Sequence, residues 1–190
     1  TMVAIIERMS APLISETALW ATCAIELNQA LERLASQEVL PRFAHARVST
    51  KADGSLLSDA DLAVQNALPH ILSEIFPAPL LGEEMPAETQ RQLWQDGQSG
   101  KTPLWIADPI DGTTNFAHGL PWFAISVALV HKGTTVLGAT IAPALAQNWH
   151  ASLGGGSFCN GKRLTLAQDP LRLKDCVVGV DMPYLTAQFR

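Results

Sequence analysis

The chain has 190 residues, 47% of them hydrophobic, and a formal net charge of −5 at pH 7. We therefore expect a globular chain of one domain, or of one domain and part of another. The acidic balance, without a block of Lys or Arg, argues against a nucleic-acid partner, and the apolar runs are too short to span a bilayer. The scattered Cys23, Cys159 and Cys176 favour reduced thiols in a cytoplasmic protein.

Two helices are predicted in the first half of the chain. Apolar residues recur at helical spacing from Ser15 to about Leu40, with Ser15 as the cap and Pro41 as the stop. A second helix is predicted from its cap, Ser58, to about Phe76. The polar residues 49–57 between them predict a turn.

The second half of the chain predicts mainly strands. Residues 80–85 form a short apolar piece that ends in glutamates, and 86–103 are polar and loop-like, with at most a helical turn near 89–94. Further strands are predicted at 104–107, 122–131, 134–142, 146–153, on either side of Asn160-Gly161, and at 175–181. Helices followed by hairpin-linked strands indicate an α+β layered fold.

The most informative segment is residues 104–116, which read LWIADPIDGTTNF. An apolar strand here leads into two carboxylates, Asp108 and Asp111, although unpaired charge at the end of a buried strand is costly. Pro109 makes the chain turn after Asp108, so both carboxylates can converge on one point. Oxygen ligands of this kind suit a hard cation such as Mg²⁺.

The residues that follow the carboxylates suit an anion. Gly112 permits close approach of the backbone, and the N–H groups of residues 112–114 can open a helix, where phosphate binds readily. An alternative stays open, in which Asp111 only caps a helix and Asp108 lies in a solvated turn. The apolar residues before Asp108 and the acids Glu83 and Glu84 after another apolar piece favour the Mg²⁺ and phosphate site.

Four segments resemble the inositol monophosphatase family of Mg²⁺-dependent, lithium-sensitive phosphatases. In chain order they are DGSLLSDAD at 53–61, GEE at 82–84, WIADPIDGTTNF at 105–116 and GSFCNGKRL at 156–164. The resemblance implies a layered α/β/α/β/α sandwich of the sugar-phosphatase type. It also implies an N-terminal α+β subdomain at 1–165, with most metal ligands, and the start of a C-terminal subdomain at 166–190.

The resemblance implies a set of metal ligands. Glu83, Asp108 and the backbone carbonyl of Ile110 would hold a first Mg²⁺, and Asp108 would bridge to a second ion that Asp111 also binds. Two or three ions are expected, with Mn²⁺ as a substitute and Li⁺ or Ca²⁺ as inhibitors. Glu84 is a secondary candidate, because it can be only a solvated neighbour of Glu83.

The resemblance also implies residues for the attacking water and for the phosphate. Asp61 would pair with the Thr113 hydroxyl, and these two with Glu83 would orient the water. The amides of Gly112 and Thr113 would hold the phosphate. Lys51 is a further candidate near the site, although a surface lysine without a role is an equal alternative.

One family ligand is not found in the sequence. The family completes its metal site with an aspartate in a later Trp-Asp helix start, whereas Trp149 here precedes His150. Three explanations stay open: the 190 residues belong to a longer enzyme, which we favour, the protein is a truncated inactive form, or another chain supplies the ligand. The C-terminal part of the sandwich is therefore expected to be missing.

The expected reaction is hydrolysis of a phosphate monoester, such as myo-inositol monophosphate, by metal-activated water. Fructose-1,6-bisphosphatase and other sugar, polyol or histidinol phosphatases are alternatives, since most substrate contacts of the family lie in the part not found here. A regulatory or scaffold protein that keeps the fold without turnover is an alternative of another class, with family precedent in bacterial transcription. A homodimer is expected from the family.

Overall fold

The computed structural model describes residues 15–43, 45–50, 56–83, 85–166 and 172–176. These residues contain the α-helices α1 Glu16–Leu34, α2 Asp59–Ile75, α3 Ala87–Gln98 and α4 Thr113–Ala117. They also contain the strands β1 Val48–Thr50, β2 Leu56–Ser58, β3 Leu80–Gly82, β4 Leu104–Asp111, β5 Ala124–His131, β6 Thr134–Ala142, β7 Gln147–Ser152, β8 Gly156–Cys159 and β9 Lys162–Arg163. A π-helical turn covers Ala35–Val39, and 3₁₀ turns cover Pro143–Leu145 and Leu173–Asp175.

The two predicted helices and their caps are confirmed. The Ser15 hydroxyl accepts the Ala18 N–H at the start of α1, and the π-helical turn carries the chain to Leu40, beside the predicted end. Helix α2 begins with a capping box between Ser58 and Asp61. This box places the Asp61 carboxylate back over the helix start, which matters for the site described below.

Seven strands form one sheet in the order β3-β4-β5-β6-β7-β8-β9. Strands β3 and β4 are parallel, and every later neighbour pair is antiparallel. The hairpin predicted at Asn160-Gly161 is confirmed, with φ values of 48° and 72° at these two residues, the left-handed conformation that such a turn requires. The α+β class predicted from the sequence is therefore confirmed.

Three expectations about the elements need correction. Residues 86–103 contain the 12-residue helix α3 rather than a loop with a single turn. The strand predicted at 104–107 continues to Asp111. Asp175 ends a 3₁₀ turn and does not begin a strand, while the rest of the strand predicted up to 181 lies outside the described residues.

The described residues at the two ends of the turn predicted at 49–57 belong to two paired strands. Strands β1 and β2 pair antiparallel, from Val48 opposite Ser58 to Thr50 opposite Leu56. The residues between the strands, 51–55, lie outside the described part of the chain. The division of the chain near residue 165 stays a prediction.

The hydrophobic core lies between the sheet and the helices α1 and α2. Leu27 and Leu31 of α1 and Leu68 and Leu72 of α2 are almost completely buried there, together with Ile125 of β5. The opposite face of the sheet borders a cleft of about 650 Å³ that reaches Asp108. Among the described residues, no helix is both long and apolar enough to cross a membrane.

Candidate metal centre

The parallel pairing of β3 and β4 brings the two acidic segments together. Gly82, the last residue of β3, lies opposite Ala107 of β4. Glu83, the residue after β3, therefore follows beside Asp108 of β4. The two residues are 25 positions apart in the sequence, and the pairing of β3 with β4 brings them together. Helix α3 connects the two strands.

A register shift separates Asp108 from Asp111. Asp108 lies opposite Ser126 of β5, whereas Asp111 lies opposite Ala124, so an irregularity occurs between the two aspartates. Pro109 fits here because β3 has already ended, and its missing N–H leaves no hydrogen bond to β3 unmade. The irregularity leaves Asp108 partly buried and Asp111 exposed.

Asp108 has an environment that disfavours its negative charge. Burial is the largest cause, followed by the carboxylates of Asp111, Glu83 and Asp61, and together they raise the pKa of Asp108 to about 6. The backbone N–H of Ile110 donates a hydrogen bond that opposes this rise. The Oδ1 atom of Asp108 is buried and has no hydrogen-bond partner. A nearby cation would compensate both the charge and the unpaired oxygen.

The Thr113 side chain connects two other predicted site residues. Its hydroxyl oxygen lies 2.9 Å from the carbonyl oxygen of Ile110 and 3.4 Å from Asp61 Oδ1. The hydroxyl has one hydrogen, and the shorter contact shows that Ile110 is its main acceptor. The pairing of Thr113 with Asp61 expected from the resemblance is thus present as a long contact.

Asp61 is held firmly by the start of α2. Its Oδ2 accepts hydrogen bonds from the backbone N–H of Ser58 at 2.8 Å and from the Ser58 hydroxyl at 2.5 Å. Only 5% of the residue is exposed. Burial raises the pKa of Asp61 above its ordinary value, although the hydrogen bonds from Ser58 and Thr113 act in the opposite direction. Its second oxygen remains directed toward Thr113.

Gly112 makes the turn from β4 into α4. Its φ of 89° lies in the left-handed region, and a Cβ atom there would be only 2.8 Å from the carbonyl oxygen of Trp122. The Asn115 side chain donates to the same carbonyl at 2.7 Å. Phe116, fully buried and in edge contact with Phe123, anchors the short helix. The predicted helix start after Gly112 is confirmed.

Gln90 is a site-supporting residue that the sequence reasoning missed. From α3, its side-chain amide donates to the carbonyl oxygens of Gly82 at 3.0 Å and Glu83 at 2.7 Å. It thereby fixes the backbone that carries the Glu83 carboxylate. A helix prediction for 87–98 would have been needed to place Gln90 beside the end of β3.

The donor set fits a hard divalent cation such as Mg²⁺. It consists of oxygen ligands from Glu83, Asp108 and Asp111 and the Ile110 carbonyl, and Asp108 contributes the buried, unpaired oxygen. Among the residues that the structure describes, no three side chains of His, Cys, Asp or Glu already enclose a common point. Glu83 and Asp111 are exposed, so their carboxylates can turn toward Asp108.

Two candidates cannot be placed. Glu84 and Lys51 lie outside the described residues, and their roles stay predictions. His118, the residue after α4, has its Nδ1 atom 2.8 Å from the carbonyl oxygen of Thr114.

Comparison with known proteins adds independent findings. Residues 19–188 match the sequence profile of the inositol monophosphatase family. The inositol-1-monophosphatase of Mesorhizobium japonicum is 38% identical over 140 residues, which cover 73% of this chain and 49% of that protein. The SuhB protein of Neisseria meningitidis serogroup A, whose name places it with the Nus factors, is 32% identical over 137 residues, or 72% of this chain and 49% of its own length.

Solved structures give the same result for the fold. An IMPase of Thermotoga maritima superposes with a TM-score of 0.60 at 29% identity and covers 75% of this chain and 53% of its own. An IMPase/NADP phosphatase complexed with Mg²⁺ and phosphate has a TM-score of 0.56 at 25% identity, over 71% of this chain and 48% of its own. The chain thus spans about half the length of the relatives it matches, and the layered fold implied by the motifs is confirmed.

Proposed function

The chain belongs to the inositol monophosphatase family, and we propose that it supplies the metal-binding part of a phosphatase that hydrolyses phosphate monoesters with the help of Mg²⁺. The observation that carries the proposal is Asp108. It is a partly buried carboxylate with an unpaired oxygen and a pKa raised to about 6 among three other acids. Such a group is unfavourable for folding alone, and it is well suited to bind a cation.

Glu83, Asp108, Asp111 and the Ile110 carbonyl would hold Mg²⁺. When bound, Mg²⁺ supplies Lewis acidity toward phosphate oxygens and lowers the pKa of a bound water. Complexes of a related phosphatase with Mg²⁺ and phosphate support this choice of ion. Mn²⁺ is a substitute, and Li⁺ and Ca²⁺ are the proposed inhibitors.

The protein's own residues would orient the water and the substrate. Thr113, held by the Ile110 carbonyl and near Asp61, presents its hydroxyl at the end of β4. Asp61 is fixed by the α2 capping box, so it can accept a hydrogen bond from the Thr113 hydroxyl without moving. We propose that Thr113, Asp61 and Glu83 align the water, and that the amides of Gly112 and Thr113 receive the phosphate.

The substrate we propose is a small phosphorylated polyol or sugar, with myo-inositol monophosphate first. The inositol-1-monophosphatase of M. japonicum supports this order. A bifunctional fructose-1,6-bisphosphatase/inositol-1-monophosphatase and a histidinol-phosphatase also match this chain, which keeps these substrates as alternatives.

The test is phosphate release with myo-inositol 1-phosphate, fructose 1,6-bisphosphate and histidinol phosphate, each in Mg²⁺ and in EDTA. We expect release only with Mg²⁺, and its loss in Asp108→Asn. Asp96→Asn is the matched control, because Asp96 lies in the last turn of α3 and pairs with Lys101 away from the site. Release that persists in EDTA would contradict the proposal.

The second candidate is a regulator that keeps the fold without turnover. The SuhB relative favours it, because that protein matches this chain about as extensively as the phosphatase of M. japonicum does. Mg²⁺ binding without release from any of the three substrates would favour the regulator. A homodimer in the cytoplasm stays part of the proposal, and light scattering on the purified protein tests the dimer.

A further inference from the structure

Three polar side chains form a row across the face of the sheet opposite α1 and α2. Asp108 on β4 pairs with Ser126 on β5, and Ser126 pairs with Thr140 on β6. Directly opposed residues of antiparallel strands project from the same face, with Cβ atoms about 5 Å apart. All three residues line the cleft that ends at Asp108.

The hydrogen bonding of this row is incomplete at one end. The hydroxyl oxygens of Ser126 and Thr140 are 3.2 Å apart, and either group can be the donor. If Thr140 donates, the hydrogen of Ser126 is available for another acceptor, because a hydroxyl can donate one hydrogen bond and accept another. On the other side of Ser126 lies Asp108, whose buried Oδ1 atom has no partner. An available donor thus lies one strand away from an unpaired acceptor.

We propose that Ser126 is a positioning residue for Asp108, which receives a hydrogen bond from the Ser126 hydroxyl while Thr140 donates to Ser126. Because the two residues are directly opposed on paired strands, rotation of the Asp108 carboxylate and the Ser126 side chain would bring donor and acceptor together. The Ile110 N–H already donates to the same carboxylate. With both donors engaged, the carboxylate is held in one orientation at the end of β4.

The inference deepens the proposed function, on which its consequence for metal binding rests. A carboxylate that is already oriented loses less conformational freedom when it binds an ion. Partners that orient a metal ligand typically change metal affinity by about tenfold or more when they are removed. Ser126 and Thr140 would therefore act on the metal only through Asp108.

The first test measures Mn²⁺ affinity by electron paramagnetic resonance in Ser126→Ala, Ser126→Thr and the control Ser157→Ala. Ser157 also lines the cleft, but it lies on β8, outside the row. We expect about tenfold weaker binding in Ser126→Ala, recovery to within about threefold in Ser126→Thr, and wild-type binding in the control. Wild-type affinity in Ser126→Ala would overturn the proposal.

A second test needs no metal. Unfolding by urea in EDTA is compared for Ser126→Ala in the wild-type and Asp108→Ala backgrounds. We expect Ser126→Ala to lower the folding equilibrium constant about fivefold more when Asp108 is present. If Ser126→Ala lowers the folding equilibrium constant equally in both backgrounds, the proposed hydrogen bond to Asp108 is overturned. Mn²⁺ binding that Asp108→Asn leaves intact would instead overturn the proposed metal function.

Discussion

Replacing Asp108 by asparagine should stabilise the metal-free protein at neutral pH. The pKa of Asp108 rises from 3.8 to about 6, chiefly through burial and then through Asp111, Glu83 and Asp61. A rise of this size corresponds to about 3 kcal/mol of unfavourable free energy for the ionised form in the folded state. Because the side chain is partly exposed, we expect about 1 to 2 kcal/mol. Asparagine keeps a similar shape and carries no charge.

The pH dependence has a defined sign. The folded state binds a proton on Asp108 more tightly than the unfolded chain does, so its ionisation destabilises the fold as the pH rises through about 6. The advantage of Asp108→Asn should therefore be complete above pH 7 and should decrease as the pH falls toward 4. Below the ordinary aspartate pKa of about 3.9 it should vanish.

The assay is urea unfolding in EDTA at pH 7.5 and pH 5. The control Asp96→Asn should give no stabilisation, because the hydrogen bonds that Asp96 accepts from Gln92 and Lys101 hold its pKa below the ordinary value. An Asp108→Asn variant that is less stable than the wild type at pH 7.5 would contradict this prediction. It would mean that the hydrogen bonds from the Ile110 N–H and, as proposed, from Ser126 outweigh the cost of the buried charge without a cation.

Three further outcomes follow from the geometry of the site. Thr113→Val should lower turnover in the phosphate-release assay by about 10²-fold or more, while its Mg²⁺ affinity stays within a few-fold of the wild type. Thr113→Ser, which keeps the hydroxyl, should keep most of the rate. Equal losses of turnover in both variants would contradict a role of the hydroxyl. Gly112→Ala should lower the free energy of unfolding in urea by about 1–3 kcal/mol. The loss should exceed that of Gly161→Ala, because Gly161 has a similar φ but open space around its Cβ position. Equal losses would exclude the clash with the Trp122 carbonyl. Ser58→Ala should cost about 1 kcal/mol, and an unchanged melting temperature would contradict the importance of the capping box.

Local signals in the sequence were sufficient for the helix caps and the hairpin. Ser15 and Ser58 act through contacts with residues three positions away, and Asn160-Gly161 adopts the positive φ values that these residue types favour, so the residue types identify these structures directly. Helix α3 was missed because its residues are largely polar and exposed. It is packed against β3, β4 and β5, and these tertiary contacts leave no periodic apolar pattern in its sequence.

The end of β4 could not be predicted from the sequence for a different reason. Pro109 suggested that the strand stops after Ala107, yet β4 continues to Asp111. The reason is a tertiary one: β3 ends opposite Ala107, so the backbone of Pro109 needs no bond on that side. The sequence could not reveal where a neighbouring strand ends.

The sequence motifs named candidate site residues but not the contacts between them. The motifs identified Asp61, Asp108, Asp111 and Thr113, and the fold brings them to one end of β4 and α2. The shorter contact of Thr113 with the Ile110 carbonyl and the support of Glu83 by Gln90 depend on side-chain geometry and on α3. Such contacts have no local signature in the sequence.

A Mn²⁺ titration followed by electron paramagnetic resonance, with Mg²⁺ as competitor, measures directly whether the end of β4 binds divalent cations. We expect the protein to bind Mn²⁺, Mg²⁺ to displace it, and Asp108→Asn to abolish binding, while Asp96→Asn binds like the wild type. Equal Mn²⁺ binding by the wild type and Asp108→Asn would contradict a divalent-cation site at the end of β4.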